Sequence, residues 1–356
     1  MALQNESESL LYASTSANLF NFLGDTNVEE HYRLYKEVIE MAYRAHQDLL
    51  SFEVDNLVIV DPHNVLSMLK TDKAPIFVTL HTGSFNMLIA YLLKNGFIFY
   101  ALSDTESLEI TDYHNVTHQY NQRYNNNGDF AKINIEVPGS IFRVIKKIKE
   151  GFPTMAFLDG NKGIGGQVKS NENLLNIDFL KGKVRVRKGL ATLSCLTHRP
   201  LVFALSYLKG NRSFLEFYHP FECKGSDAEA FANETIQTIF KYFETHVKQF
   251  PSQWCNWPYV HNWSDLSVFY SKSTPLETLV KSSSLHFNEK RFCPIKYNGG
   301  YFLFDRIRYK VIPVDPNLAP IFSHKTTPQQ RRELIQQVIK ENNPAIKDFI
   351  QSEVLI

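Results

Sequence analysis

Residues 74–103 read APIFVTLHTGSFNMLIAYLLKNGFIFYALS, and their pattern decides the fold. APIFVTL is a short apolar run rich in β-formers, and it reads as a buried strand. GSFNMLIAYLLKN is long and apolar enough for a helix packed on that strand, and FIFYALS reads as a second strand. A strand, a helix and a strand in so few residues predict a right-handed crossover between parallel neighbours. The polar break between first strand and helix, His81-Thr82-Gly83, then falls at a strand's carboxyl end, where open α/β sheets bind ligands.

The alternation continues downstream. After a polar, Asn-rich helix-and-loop stretch to about Asp129, KINIEV (132–137) reads as a strand, GSIFRVIKKIKEG (139–151) as a helix and PTMAFLD (153–159) as a strand. RVRKGLATLSCLTH (185–198) reads as a helix, and RPLVFALSYL (199–208) and SFLEFYHPF (213–221) as strands. This predicts an α/β domain over 55–263, a mostly parallel sheet flanked by helices. AEAFANETIQTIFKYFETHVKQF (228–250) is the helix expected to cover one face.

Upstream, NVEEHYRLYKEVIEMAYRAHQDLL (27–50) has the three- and four-residue spacing of an amphipathic helix, inside an N-terminal helical region of residues 1–54. Its polar face carries both signs of charge, which favours core packing over a membrane surface. Residues 264–285 turn Ser-rich and lose periodicity, as a linker does. YFLFDRIRYKVIPV (301–314) reads as two short strands. Thr327-Pro328-Gln329-Gln330 then opens a helix, with Thr as N-cap, Pro at N1 and Gln at N3. These predict a small α+β C-terminal domain over 286–356.

Composition narrows the partners. Lys and Arg number 38 against 37 Asp and Glu, so nucleic acid is disfavoured as a partner. The 44% apolar content supplies a sizeable core, and 27 Phe with 17 Tyr suit either that core or a greasy cleft. No stretch approaches the roughly 18 apolar residues of a membrane span. MALQNESESLLYAST lacks the basic-then-apolar order of a secretory signal. Cys195, Cys223, Cys255 and Cys293 form no CxxC pair, so reduced thiols and a cytoplasmic location are expected, with membrane contact at most peripheral.

His81 is the residue with the clearest chemistry. A neutral imidazole at a strand tip can take a proton from an attacking hydroxyl or amine. Free N–H groups at the start of the following helix can meet a developing oxyanion, and Gly83 lets backbone approach a substrate. A histidine that merely caps a helix would occupy the same place. His114 and His118 share a helix face, but the HExxH glutamate is missing and no metal is predicted. There is no G-x-S-x-G elbow, P-loop or dinucleotide fingerprint.

TLHTGSFNMLIAYLL resembles the first motif of the lysophospholipid and lipid A biosynthesis acyltransferases, which runs His, any residue, Gly, Asn, Trp, then Glu or Asp. His81 matches the catalytic base and Gly83 the glycine; Ser84 and Phe85 replace the Asn and Trp, and Asn86 stands where the family carries its carboxylate. FLDGNKGIGG followed by LLNIDFLKGKVRVRKGLATLSCLTHRPLVFAL is similar to the later family block, with Asp159, Asp178, Phe179, Gly182 and Gly189 in place. FPSQWCNWPYV resembles the closing Pro-x-Gln-Trp motif through Pro251, Gln253 and Trp254.

The resemblance implies transfer of an acyl group from a coenzyme A or carrier-protein thioester to a hydroxyl or amine, with no further cofactor. It implies His81 and Asn86 at the catalytic position, and Gly83, Ser84, Phe85, Asp159, Lys183, Arg185, Arg187, Gln253 and Trp254 around the substrate. Asn supplies no charge to a neighbouring imidazole. Either His81 works without a charged partner, or another acid reaches it, or the site only binds, as in a non-catalytic lipid- or peptide-binding descendant.

KGKVRVRK (181–188), placed before and into a helix start, makes sense as an anchor for an anionic donor or as a solvated basic turn. GGYFLFDRIRYKVIPVDPNLAPIFS and the helix after it resemble the small winged-helix domains that hold leader peptides in ribosomal peptide modification pathways, which implies a peptide partner by strand addition.

Overall fold

The first strand of residues 74–103 is the middle strand of a seven-stranded sheet in the computed structural model, which describes residues 6–24, 26–71, 73–104, 112–160, 173–270, 285–323, 326–341 and 343–356. In chain order the strands of this domain are β1 (Val58–Val60), β2 (Ile76–Thr79), β3 (Ile98–Ser103), β4 (Asp129–Asn134), β5 (Thr154–Phe157), β6 (Leu174–Phe179), β7 (Gly182–Arg187), β8 (Leu201–Lys209) and β9 (Arg212–Phe217). The sheet order is β1-β9-β8-β2-β5-β3-β4, while β6 and β7 form a separate hairpin. The fold is therefore α/β with a mostly parallel sheet flanked by helices. β8 and β9 pair antiparallel because only residues 210 and 211 join them, too few for a crossover.

Successive residues of β2 feed opposite faces. Ile76, Val78 and Leu80 pack with Ile236, Phe240 and Phe243 of α8 (Ala228–Gln249). Phe77 packs with Met87, Leu88 and Leu92 of α4 (Met87–Lys94). Burial on both faces explains why β2 reads as an unbroken apolar run rather than an alternating one.

The basic run departs from its sequence reading. Lys183, Arg185 and Arg187 lie on β7, paired antiparallel with Asp178, Asn176 and Leu174 of β6, and the helix (Gly189–Thr197) starts only after them. Val184 and Val186 are fully buried, while on the opposite face Lys183 is exposed and Arg185 and Arg187 are half-buried. The period of two in KVRVR is that of a strand, and it prevailed over the continuity with the helix.

Two further expectations change. The tail has three strands rather than two: β10 (Phe292–Tyr297), β11 (Gly300–Asp305) and β12 (Lys310–Val314), joined antiparallel in that order. They are followed by helices Ala319–Phe322, Pro328–Lys340 and Ala345–Gln351, the second opened by the capping box at Thr327 and Gln330. Cys195 and Cys223 are joined in a disulfide with Cα atoms 5.0 Å apart, so they are not reduced thiols. Pairing of Leu201 with Phe221 folds the two cysteines together, a contact their spacing did not reveal. Cys255 and Cys293 are free. Among the described residues no helix is long and apolar enough to cross a membrane.

The N-terminal segment forms α1 (Glu6–Asn18) and α2 (His31–Leu50). Tyr12, Ala13 and Ala17 of α1 pack with Tyr35 of α2 against Cys293, Ile295 and Phe304, so α1 lies on the C-terminal three-stranded sheet. Two buried histidines, His31 and His246, and the half-buried His261 make the protein acid-sensitive. Burial, with the nearby Arg306 charge, pushes His31 down to about 3, and burial pushes His246 and His261 down to about 4. The unfolded chain binds these protons first, near pH ~6.5, so stability is full above that value and lost as pH falls toward the folded values. Urea denaturation is expected to give a midpoint that declines steadily from about pH 6.5 to about pH 4. A midpoint flat across that window would contradict the neutral burial of these rings.

Candidate active site

The register of β2 and β5 builds the site. Thr79 pairs with Phe157, and the Leu158 N–H donates to the Thr79 carbonyl at 2.9 Å. Two residues beyond each strand, this alignment sets His81 beside Asp159. The Asp159 side chain is fully buried, and its Oδ1 lies 2.8 Å from His81 Nδ1. The His81 backbone N–H also donates to both carboxylate oxygens, at 3.2 and 3.0 Å. Burial alone would raise the Asp159 carboxyl. The His81 charge, the bonds from its ring and backbone, and the Trp254 indole outweigh that and hold it below the usual carboxylate range.

An ionised Asp159 makes Nδ1 the protonated nitrogen and leaves the Nε2 lone pair free to act as a base. The His81 side chain is 28% exposed, so the ring reaches solvent. It stacks on Phe157 with centroids 4.0 Å apart and meets the edge of Phe85 at 5.0 Å. Both phenylalanines are partly exposed, giving the imidazole an aromatic surround.

A second turn, after α8, closes on the first. The Trp254 Nε1–H donates to Asp159 Oδ2 at 2.8 Å, the Cys255 N–H to the His81 carbonyl at 2.8 Å, and the Asn256 amide to the Asp159 carbonyl at 2.8 Å. The Gln253 carbonyl accepts the Gly83 N–H at 2.9 Å, and the Gln253 side chain exchanges two bonds of 2.8 Å with the Leu208 backbone. Gln253 thus extends the ladder of β8 rather than facing a ligand.

The residues singled out in the sequence separate accordingly. His81, Asp159, Trp254 and Phe85 come together, joined by Phe157 and Asn256, which the sequence reading did not select. Nothing in CNW distinguishes Asn256 from a surface residue.

Asn86 is elsewhere: it is buried at the start of α4 and its amide donates to the Ala45 carbonyl of α2 at 3.1 Å. An acid other than residue 86 does reach His81: Asp159, from the end of the neighbouring strand. Ser84 is fully buried, its carbonyl held by the Ser206 hydroxyl at 2.8 Å. Lys183 lies 3.2 Å from Asp178 on the exposed hairpin, and Arg185 donates to the Ser264 carbonyl at 2.9 Å. Arg187 is half-buried, which pulls its guanidinium below the ordinary range against the opposing pull of Glu136.

Gly83 serves close packing, and its N–H is already engaged by Gln253. Its φ is +54°, and a Cβ there would lie 2.6 Å from Tyr207 Cα and 2.9 Å from the Ser206 carbonyl oxygen. Left-handed backbone and a backbone clash act together, so Gly83→Ala is expected to cost about 2 kcal/mol or more. Chemical denaturation reads this directly, and a variant as stable as the parent would show that the two backbones are not in contact.

Comparison with known proteins gives little beyond this geometry. No family model matches the chain, and no curated protein does. Among solved structures, the chain is similar to the crystal structure of the 1-acyl-sn-glycerophosphate (LPA) acyltransferase PlsC from Thermotoga maritima. The identity is 19% and the TM-score 0.33, over 68% of this chain and 96% of that one.

Proposed function

We propose that the protein moves an acyl group from a coenzyme A or carrier-protein thioester to a hydroxyl or amine acceptor, with His81 as general base. One observation carries this reading: a buried, ionised Asp159 holds Nδ1 of a partly exposed imidazole at the carboxyl edge of a parallel sheet. Nε2 takes the acceptor's proton as the acceptor attacks the thioester carbonyl. The tetrahedral intermediate then expels the donor thiolate, which recovers that proton from His81.

Among the described residues the N–H of the partly exposed Phe85, just before α4, has no hydrogen-bond partner, and it is the donor proposed for the oxyanion. The aromatic surround of Phe85 and Phe157 suits an apolar acyl chain. The basic hairpin carrying Lys183 and Arg187 is the proposed contact for the anionic donor, coenzyme A or a carrier protein.

The direct test is thiol release from medium- and long-chain acyl-coenzyme A, with and without a panel of alcohols and amines. Acceptor-dependent release, with the acylated acceptor identified by mass, is the expected result. Absence of transfer from every donor to every acceptor, by a folded protein, is the outcome expected of a binding module and would overturn the proposal.

A further inference from the structure

We infer that Trp254 is a positioning residue of this site: its indole N–H holds the carboxylate that holds the His81 ring, and so sets how readily the His81–Asp159 pair takes up a proton. The catalytic meaning of this rests on the role proposed for His81; the positioning itself does not.

Asp159 draws its side-chain donors from two residues. Oδ1 accepts from the His81 ring and backbone, whereas Oδ2 accepts from the His81 backbone and from Trp254 Nε1 at 2.8 Å. Trp254 is therefore the partner that pins the carboxylate from the side away from the ring. Without it, Oδ2 would keep only the His81 backbone N–H, and the carboxylate would be held less firmly behind the ring.

The indole has little freedom of its own. It is fully buried, with Trp257, Phe243 and Phe179 packed around it at centroid distances of 4.8, 5.3 and 5.4 Å. Its backbone is bridged to Thr82 in the histidine turn. The turn that carries it is anchored further out, where the Asn18 amide donates to the Trp257 carbonyl at 2.6 Å.

A buried indole needs an acceptor for its N–H, so the bond to Asp159 has to be told apart from ordinary satisfaction. The neighbouring tryptophans make that contrast. Trp257 satisfies its N–H with the Pro251 carbonyl at 2.6 Å, and the Trp263 N–H has no partner among the described residues. Trp254 alone among these three donates to an ionised group, and that group is the one on His81.

A donor on Oδ2 draws negative charge away from the ring side and lowers the proton affinity of the pair; removing it raises that affinity. Trp254→Phe is therefore expected to move the proton uptake of the pair to higher pH by about half to one unit. Turnover should fall roughly tenfold with little change in the KM for acceptor, as expected when a transition-state interaction is lost.

The experiment is an NMR titration of isotopically labelled histidine, with the His81 resonance assigned by its disappearance in His81→Ala. It compares the parent with Trp254→Phe and needs no turnover. An upward shift supports the positioning role. A His81 titration that is unchanged, with only a lower melting temperature, would mean that Trp254 merely fills space.

Should Trp254→Phe fail to fold, β-(3-benzothienyl)alanine at position 254 keeps the ring shape and lacks the donor, and the same shift or its absence decides. If acyl transfer is never found while the titration still shifts, the proposed function fails and the positioning role stands.

Discussion

Asp159→Asn is expected to lower turnover by about 10³–10⁴-fold, the size of the loss when a comparable catalytic carboxylate is replaced by its amide. The carboxylate accepts bonds from Trp254 and from both the ring and the backbone of His81. An amide offers one acceptor oxygen and turns its N–H₂ toward a donor, so either the ring or the indole loses its partner. A neutral amide also favours no particular tautomer and cannot stabilise the imidazolium formed as the acceptor is deprotonated.

His81→Ala should remove a similar or greater amount, and the double variant should be little worse than His81→Ala alone, because the two groups act as one unit. Steady-state rates of thiol release for the three variants measure this. An Asp159→Asn enzyme within tenfold of the parent would show that His81 does not depend on that charge. Additive losses would show that the two residues act separately.

Asn86→Glu is expected to destabilise the protein by about 3–5 kcal/mol, the range for an uncompensated buried charge, and to bring no gain in rate. The substitution restores the residue type that the resembling family carries at this position, and the sequence alone leaves a gain and no gain both open. The structure favours no gain. Asn86 is buried and its amide donates to the Ala45 carbonyl, tying α4 to α2. A glutamate would set a carboxylate against a carbonyl oxygen, with no donor in return. Urea denaturation and the acyl-transfer rate together decide it. A stable and faster Asn86→Glu would mean that this side chain turns toward His81 after all.

The two variants separate what the sequence locates, a histidine at a strand end, from what it does not, the carboxylate that meets it. His81 is legible because its place is local: an apolar run ends, a helix begins, and the residue between them lies at a sheet's edge. Asp159 was matched only as part of a later block, since the residue it serves is 78 positions away. The motif position and the side chain that meets His81 differ because the carboxylate reaches the ring from the neighbouring strand rather than from the next helix turn. Trp254 could be matched as a motif residue, but its bond to Asp159 exists only once the turn after α8 has folded back over β2.

The same division runs through the fold. β2, α4 and β3 follow from patterns confined to residues 74–103, where apolar spacing and length specify each element without help from the rest of the chain. The capping box at Thr327 is local in the same way, and it too is read from four residues. The hairpin of β6 and β7 was hidden because KVRVR runs without a break into helical GLATLSCL, and alternation weighs against continuity only once Val184 and Val186 have a core to enter. The disulfide of Cys195 and Cys223, and the packing of α1 on the C-terminal sheet, join segments that no local pattern connects. What the sequence by itself determined is the set of strands and helices whose signals lie within a few turns, together with the histidine at the end of one of them. What only the tertiary structure decided is which distant carboxylate faces that histidine, because strand register and packing across the sheet act between residues that the chain keeps far apart.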